Sequence, residues 1–171
     1  MRGLPLLLLL AAPAFGQGRH NTAAPIDFGA NSIELQDKAN RAVLAGNVQV
    51  RQAELTLNAA RMTVAYTGQV IGGSPQVSRL DASGGVTVRR PDQTARASYA
   101  IYDLNRRIIT MLGAVTLTQG ANTVNGGRLT INLDSGRAVI DGSSVGSSGA
   151  GGATSTRGGR VTGTFSVPDR N

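Results

Sequence analysis

The segment Arg41-Ala-Val-Leu-Ala-Gly46 returns almost letter for letter as Arg137-Ala-Val-Ile-Asp-Gly142, and the same glycine frame recurs in between at Gly84 and Gly113. Around three of these glycines the pattern is Gly-x-Val-x-(Val or Leu): Gly46-Asn-Val48-Gln-Val50, Gly84-Gly-Val86-Thr-Val88 and Gly113-Ala-Val115-Thr-Leu117. The glycines are 38, 29 and 29 residues apart, and the extra nine residues of the first interval match Thr67 to Pro75, which reads as a loop inserted into a 29-residue unit. A fixed period of this kind means stacked supersecondary units, none of which can bury its apolar face alone.

The frame extends further into each unit. Leu57-Asn-Ala-Ala-Arg-Met-Thr-Val-Ala-Tyr66 is matched by Val124-Asn-Gly-Gly-Arg-Leu-Thr-Ile-Asn-Leu133, each beginning eleven residues after its glycine. Side chains at fixed even offsets from the glycine are apolar: Val48, Val50, Met62, Val64, Tyr66, then Val86, Val88, Ala100, Tyr102, Leu104, then Val115, Leu117, Leu129, Ile131, Leu133. The positions between them are mostly polar, the period-two signature of antiparallel strands with one dry face. No stretch shows helical spacing over a useful length. The repeated glycines are expected to allow a bulge or bend in a long strand. Asp37-Lys-Ala-Asn40, Asp103-Leu-Asn-Arg106 and Asp134-Ser-Gly-Arg137 carry turn chemistry, so their aspartates read as turn residues.

Met1 and Arg2, the apolar run Leu4 to Ala12 and the small residues around Ala14 to Gly16 form a secretory leader pattern, too short to span a bilayer. The chain divides into a signal segment (1–16), a flexible lead-in (17–25), a repeat domain (26–142) and a Gly/Ser-rich flexible tail (143–171) with a short alternating stretch at 161–167. That stretch is expected to add a strand to a sheet edge, its own or a partner's. Export places the mature chain in an extracytoplasmic compartment, and the absence of cysteine excludes disulfides and a lipid-modified N-terminal cysteine. The net charge is +7, and every cation except Lys38 is an arginine. Arginine suits phosphate and carboxylate partners through paired hydrogen bonds. Nucleic acid is disfavoured, because there is no basic run and only 4% of residues are aromatic.

Chemistry for catalysis is missing. The single histidine is His20 in the lead-in, there is no cysteine, and the carboxylates are scattered among turns and polar faces. The expectation is no enzyme, no metal and no cofactor.

The leader, the core Gly46-Asn-Val-Gln-Val-Arg-Gln52, the partner strand Leu57 to Tyr66 and the later copy Gly113-Ala-Val-Thr-Leu-Thr-Gln-Gly120 resemble the LptA/OstA-like family over roughly residues 26 to 142. The sequence departs from the family pattern at Ala53, where glycine follows the glutamine, and at Ala60-Arg61 and Gly127-Arg128, where an aspartate is expected. No acidic contact residue is therefore carried over. The resemblance implies an all-β, antiparallel V-shaped β-jellyroll, and a periplasmic bridge component that carries lipopolysaccharide or a similar anionic glycolipid from inner to outer membrane. It also implies LptC-like and LptD-like partners joined by edge-strand pairing, and it allows a head-to-tail homo-oligomer.

On that basis the candidate acyl-chain groove comprises Leu44, Val48, Val50, Leu57, Met62, Val64, Val86, Val88, Tyr102, Met111, Val115, Leu117, Leu129 and Ile131. Arg61, Arg89, Arg90 and Arg128 are the candidates for phosphate groups, although strand parity puts Arg61, Arg89 and Arg128 on the polar face. The competing expectation is a structural or adhesive β-solenoid of the cell envelope, in which the same apolar rows close into a sealed core.

Overall fold

The computed structural model describes residues 20–68, 72–142 and 160–166. The signal segment, the start of the lead-in and most of the Gly/Ser tail lie outside the described residues. The strands are β1 (Ile26–Gly29), β2 (Ser32–Gln36), β3 (Arg41–Gln52), β4 (Leu55–Thr67), β5 (Gln76–Arg90), β6 (Gln93–Asp103), β7 (Ile108–Gln119), β8 (Asn122–Asn132), β9 (Ala138–Asp141) and β10 (Thr162–Thr164). Strands β3 to β8 form a continuous meander in which every pairing is antiparallel. A parallel β-helix, one form of the solenoid expectation, is excluded by that pairing.

Each long-strand pairing is interrupted near its middle, and these interruptions line up across the sheet; the β4–β5 pairing has a further shift between Ala65 and Tyr66. Register shifts fall between Ala45 and Val48, Asn58 and Arg61, Ser83 and Val86, Arg96 and Tyr99, and Leu112 and Val115. At three of them two consecutive residues adopt left-handed backbone: Gly46-Asn47, Gly84-Gly85 and Gly113-Ala114. Such a pair turns a strand sharply, and repeated in the alternate strands β3, β5 and β7, level with the register shifts of the strands between them, the turns fold the sheet along one crease. Two leaves result.

One leaf contains the β4 segment beginning at Arg61, the β8 segment beginning at Arg128, and β2 and β9 at its edges. The other contains Val48–Gln52 and Leu55–Ala59, with β1 and β10 at its edges. Each edge strand therefore pairs with only half of a long strand.

The inner faces meet in one apolar cluster, with Leu44, Met62, Leu80, Met111 and Leu129 from the first leaf against Val48, Leu57, Val86, Val88 and Val115 from the second. Fully burying an aliphatic chain of this size stabilises the fold by about 1.5–3 kcal/mol. The alternation expected from the sequence is present along the whole series. Only Leu104 and Leu117 of the fifteen predicted inward positions are half-buried rather than buried. The turns behave as their aspartates suggest: the Asp103 carboxylate accepts from the Arg106 backbone N–H at 2.9 Å, and Asn40 closes a single 3-10 turn in left-handed conformation.

Two local features lie at the ends of the described chain. In the described part of the lead-in, His20 is buried and Thr22 and Ala24 are half-buried, while Asn21, Ala23 and Pro25 are exposed. The Thr162–Thr164 stretch adds itself to the chain's own edge, pairing with β8 at Thr123–Asn125.

Candidate functional site

The leaves do not fill the space between them at the β1/β2 end. A cavity of about 530 Å³ lies there, lined by Ile26 and Phe28 of β1, Leu35 of β2, Ala42, Val64 and Tyr66 of β3 and β4, Val77 of β5, and Leu104. It also touches Thr22, Ala23 and Ala24 of the lead-in. The opening has a topological cause. β1 and β2 are short, they pair with different halves of β3, and neither pairs with the other. The side-chain rows that fill the interior elsewhere are thus incomplete at this end, and Phe28 and Leu35 stay about half exposed, at 49% and 54%.

A buried amide sits at the mouth. Gln52 is the last inward residue of β3 and is only 2% exposed. Its Oε1 accepts from the Tyr102 hydroxyl at 2.7 Å and lies 3.3 Å from His20 Nε2. Its Nε2 donates to the backbone carbonyls of Thr22 and Ala24, each at 3.0 Å. Gln52 and Tyr102 belong to opposite leaves, so this amide ties the two leaves and the lead-in together. Burial pushes the Tyr102 hydroxyl up to about 12, with Arg107 opposing and Asp134 adding to the shift. Tyr66 is raised by burial, then by the hydrogen bond it donates to Asp37 at 2.9 Å and by that carboxylate's charge. Both phenols are therefore neutral donors at ordinary pH.

The sequence-derived groove residues have the inward orientation expected of them, but most face one another rather than open space. Val64 lines the cavity. Leu44, Val48, Val50, Leu57, Met62, Val86, Val88, Tyr102, Met111, Val115, Leu129 and Ile131 are packed in the core, none more than 2% exposed. Leu117 is half-buried against them.

The four arginines are not brought together. Arg61 opens onto a shallow depression on the outside of its leaf, shared with Thr63, Asp81 and Tyr99. Arg128 is exposed and stands opposite Asp141 in the β8–β9 register. Arg89 is exposed at the end of β5. Arg90 alone shares the parity of buried Val86 and Val88; it is half-buried and opposite Gln93 where β5 turns into β6. Arg79 pairs with Asp81 at 2.6 Å and Arg107 with Asp134 at 3.2 Å, both exposed. The hydrogen bonds and charge of Asp81 hold the Arg79 guanidinium above its ordinary value. No group of three histidine or carboxylate side chains that could hold a metal occurs among the described residues.

The profile of the family described as LptA/(LptD N-terminal domain) LPS transport protein matches residues 28–137, from β1 to the turn after β8. The chain belongs to this family. An uncharacterized protein of Rhizobium meliloti (strain 1021) is 32% identical over 121 residues, covering 68% of the chain, and the match spans 65% of the length of that relative. The crystal structure of LptH from Pseudomonas aeruginosa, described as the LptA homologous periplasmic component of the conserved lipopolysaccharide transport device, superposes with a TM-score of 0.69 at 21% identity. That likeness covers 86% of this chain and 99% of LptH, and it establishes the fold.

Several residues of this LptA-family site are not evident from sequence pattern. Phe28, Leu35 and Val77 belong to short or loop-flanking segments whose partners are not encoded locally. Gln52 did carry a signal: it occupies the inward position after Val48 and Val50, where an apolar residue would continue the row. A polar group at such a position requires buried partners.

Proposed function

We propose that this LptA-family chain is a periplasmic bridge component for lipopolysaccharide or a similar anionic glycolipid, holding acyl chains between its two leaves. The observation that carries this reading is the apolar cavity at the β1/β2 end, open between the leaves and continuous with the aliphatic rows of the interior. Each methylene that leaves water for such a space gains about 0.8 kcal/mol, so a dozen hold a chain by on the order of 10 kcal/mol. Release into water is then slow, and transfer runs from one apolar slot to an equivalent slot. The interior beyond the cavity is filled by its own side chains, so deeper occupancy requires the leaves to separate about their crease.

The edges supply the means of joining such slots. Ile33 and Leu35 of β2 and Phe28 of β1 are exposed at one end, and Val139, Val161 and Phe165 at the other. Strand addition at these ends suits LptC-like and LptD-like partners or further copies of the chain. Arg90, half-buried beside Gln93, is the arginine best placed for a lipid phosphate; Arg61, Arg89 and Arg128 face outward and suit headgroups only outside the leaves.

A photoreactive residue tests the groove. Placed at Val77 it should crosslink to purified lipopolysaccharide, whereas the same group at Asn58, on the outside of the crease, should not. Equal labelling at both positions would show surface adsorption and end this reading.

A further inference from the structure

Residues 20–25 fold back on themselves: the Ala23 N–H donates to Asn21 Oδ1 at 3.1 Å and the Ala24 N–H to the Asn21 carbonyl at 3.3 Å. This turn places Thr22, Ala23 and Ala24 in the wall of the cavity and His20 in a buried position against Gln52. Its hold on the mouth runs through one side chain, because Gln52 Nε2 donates to both Thr22 O and Ala24 O. The Gln52 carbonyl oxygen meanwhile receives the Tyr102 hydroxyl from the facing leaf.

We propose that the 20–25 turn is a strap lying across part of the mouth of the groove, that Gln52 is its clasp, and that the ester or amide carbonyls at the base of a glycolipid's acyl chains take the place of the strap's carbonyls when lipid enters. The inference rests on the acyl-groove reading. Its chemistry follows from the donor inventory. A buried primary amide must keep its N–H groups bonded, since leaving them unsatisfied costs more than a surface hydrogen bond returns. Closed, the Gln52 amide is satisfied by two peptide carbonyls. With the strap gone, solvent at the mouth can take its place, but an acyl chain that fills the mouth excludes that solvent and must itself bring an acceptor. An acyl chain brings such an acceptor at its polar end, where the chain emerges from the groove. The Tyr102 bond is untouched by this exchange, so Gln52 stays aimed at the mouth while its partners change. The strap and the lipid are thereby competitors for the same donor, which keeps the mouth narrowed in the absence of cargo without making its widening prohibitive.

The test compares uptake of purified lipopolysaccharide by the mature chain, by a chain lacking residues 17–24, and by Gln52→Leu, with association and dissociation rates measured separately. Removing the strap leaves the Gln52 donor in place and should speed association on the order of tenfold, the change expected from losing one to two net hydrogen bonds, with dissociation unchanged. Gln52→Leu should speed association similarly but also speed dissociation, so that its affinity gains little. Folding of each variant is checked by its urea midpoint, and if Gln52→Leu does not fold the strap-less chain decides the matter. Wild-type association by the strap-less chain would overturn the strap. Equal dissociation from the two variants would overturn the carbonyl exchange. Failure of all three chains to bind lipopolysaccharide would overturn the acyl-groove reading itself.

Discussion

At Gly84 the backbone has φ of +81°, and a β-carbon built there would come within 2.6 Å of the Ala60 methyl in the neighbouring strand. Gly85 next to it also has positive φ, at +70°, but a β-carbon there would meet nothing within 4 Å. The protein supplies its own control, because alanine already occupies the corresponding second position at Ala114, with φ of 47°. Gly84→Ala should therefore cost about 2–4 kcal/mol, combining left-handed strain with a clash, and Gly85→Ala only about 1 kcal/mol; urea midpoints of the two variants would show the difference. The first glycine of each pair was legible as a repeat, whereas the left-handed Ala114 was not, since alanine does not announce that conformation; Asn47 is of a type that adopts it readily, but it lies inside an alternating strand pattern that masks the signal. A second residue-scale expectation concerns Tyr102. Its phenol is held near 12 in the folded chain against an ordinary 10.0, so the stabilisation it carries is complete below pH 10 and lost as pH rises toward 12. That loss amounts to about 2 kcal/mol. Denaturation series between pH 9 and pH 12 should show a decline that is shallower in Tyr102→Phe.

Elements differ in how they are held. The long strands are bonded on both sides and carry buried residues at alternate positions, and it is this alternation that made them readable. β10 pairs along three residues and all three are exposed. Its close fit depends on Gly163, where a β-carbon would lie 3.0 Å from the Thr123 carbonyl and 3.4 Å from the Val124 side chain. Gly163→Val should unseat β10, which would appear as faster amide exchange at Thr123–Asn125 with little change in the amides of β3 to β7. That this stretch tends to pair was visible in its alternation. Which edge it takes was not, because strand pairing joins residues far apart in the chain. The contacts of the lead-in were not legible for a related reason: Asn21 to Pro25 has loop composition, and its hydrogen bonds run to Gln52, about thirty residues away.

For the whole molecule, alternation tells which side chains face inward but not how far apart the two faces stand. The inward rows were therefore assigned correctly, while the volume between them was not. Separation depends on the angle of the crease and on what occupies the mouth, and both are set by tertiary contacts such as the bond from Tyr102 to Gln52 at 2.7 Å. The cavity at the β1/β2 end owes its existence to short edge strands, a property of topology rather than of any one motif.

Because the bend is made by the main chain at the same place in every second strand, the molecule is built like a folded screen whose panels are interchangeable. Excising residues 84–112 would splice the first half of β5 to the second half of β7, and the hybrid strand would meet β4 and β8 in the pairings already used by the strands it replaces. Such a shortened protein should still fold cooperatively by circular dichroism and urea titration, with a trough shorter by two strand spacings, about 10 Å. Length along the trough is thus a quantity that duplication or loss of one 29-residue panel can adjust without redesigning either end.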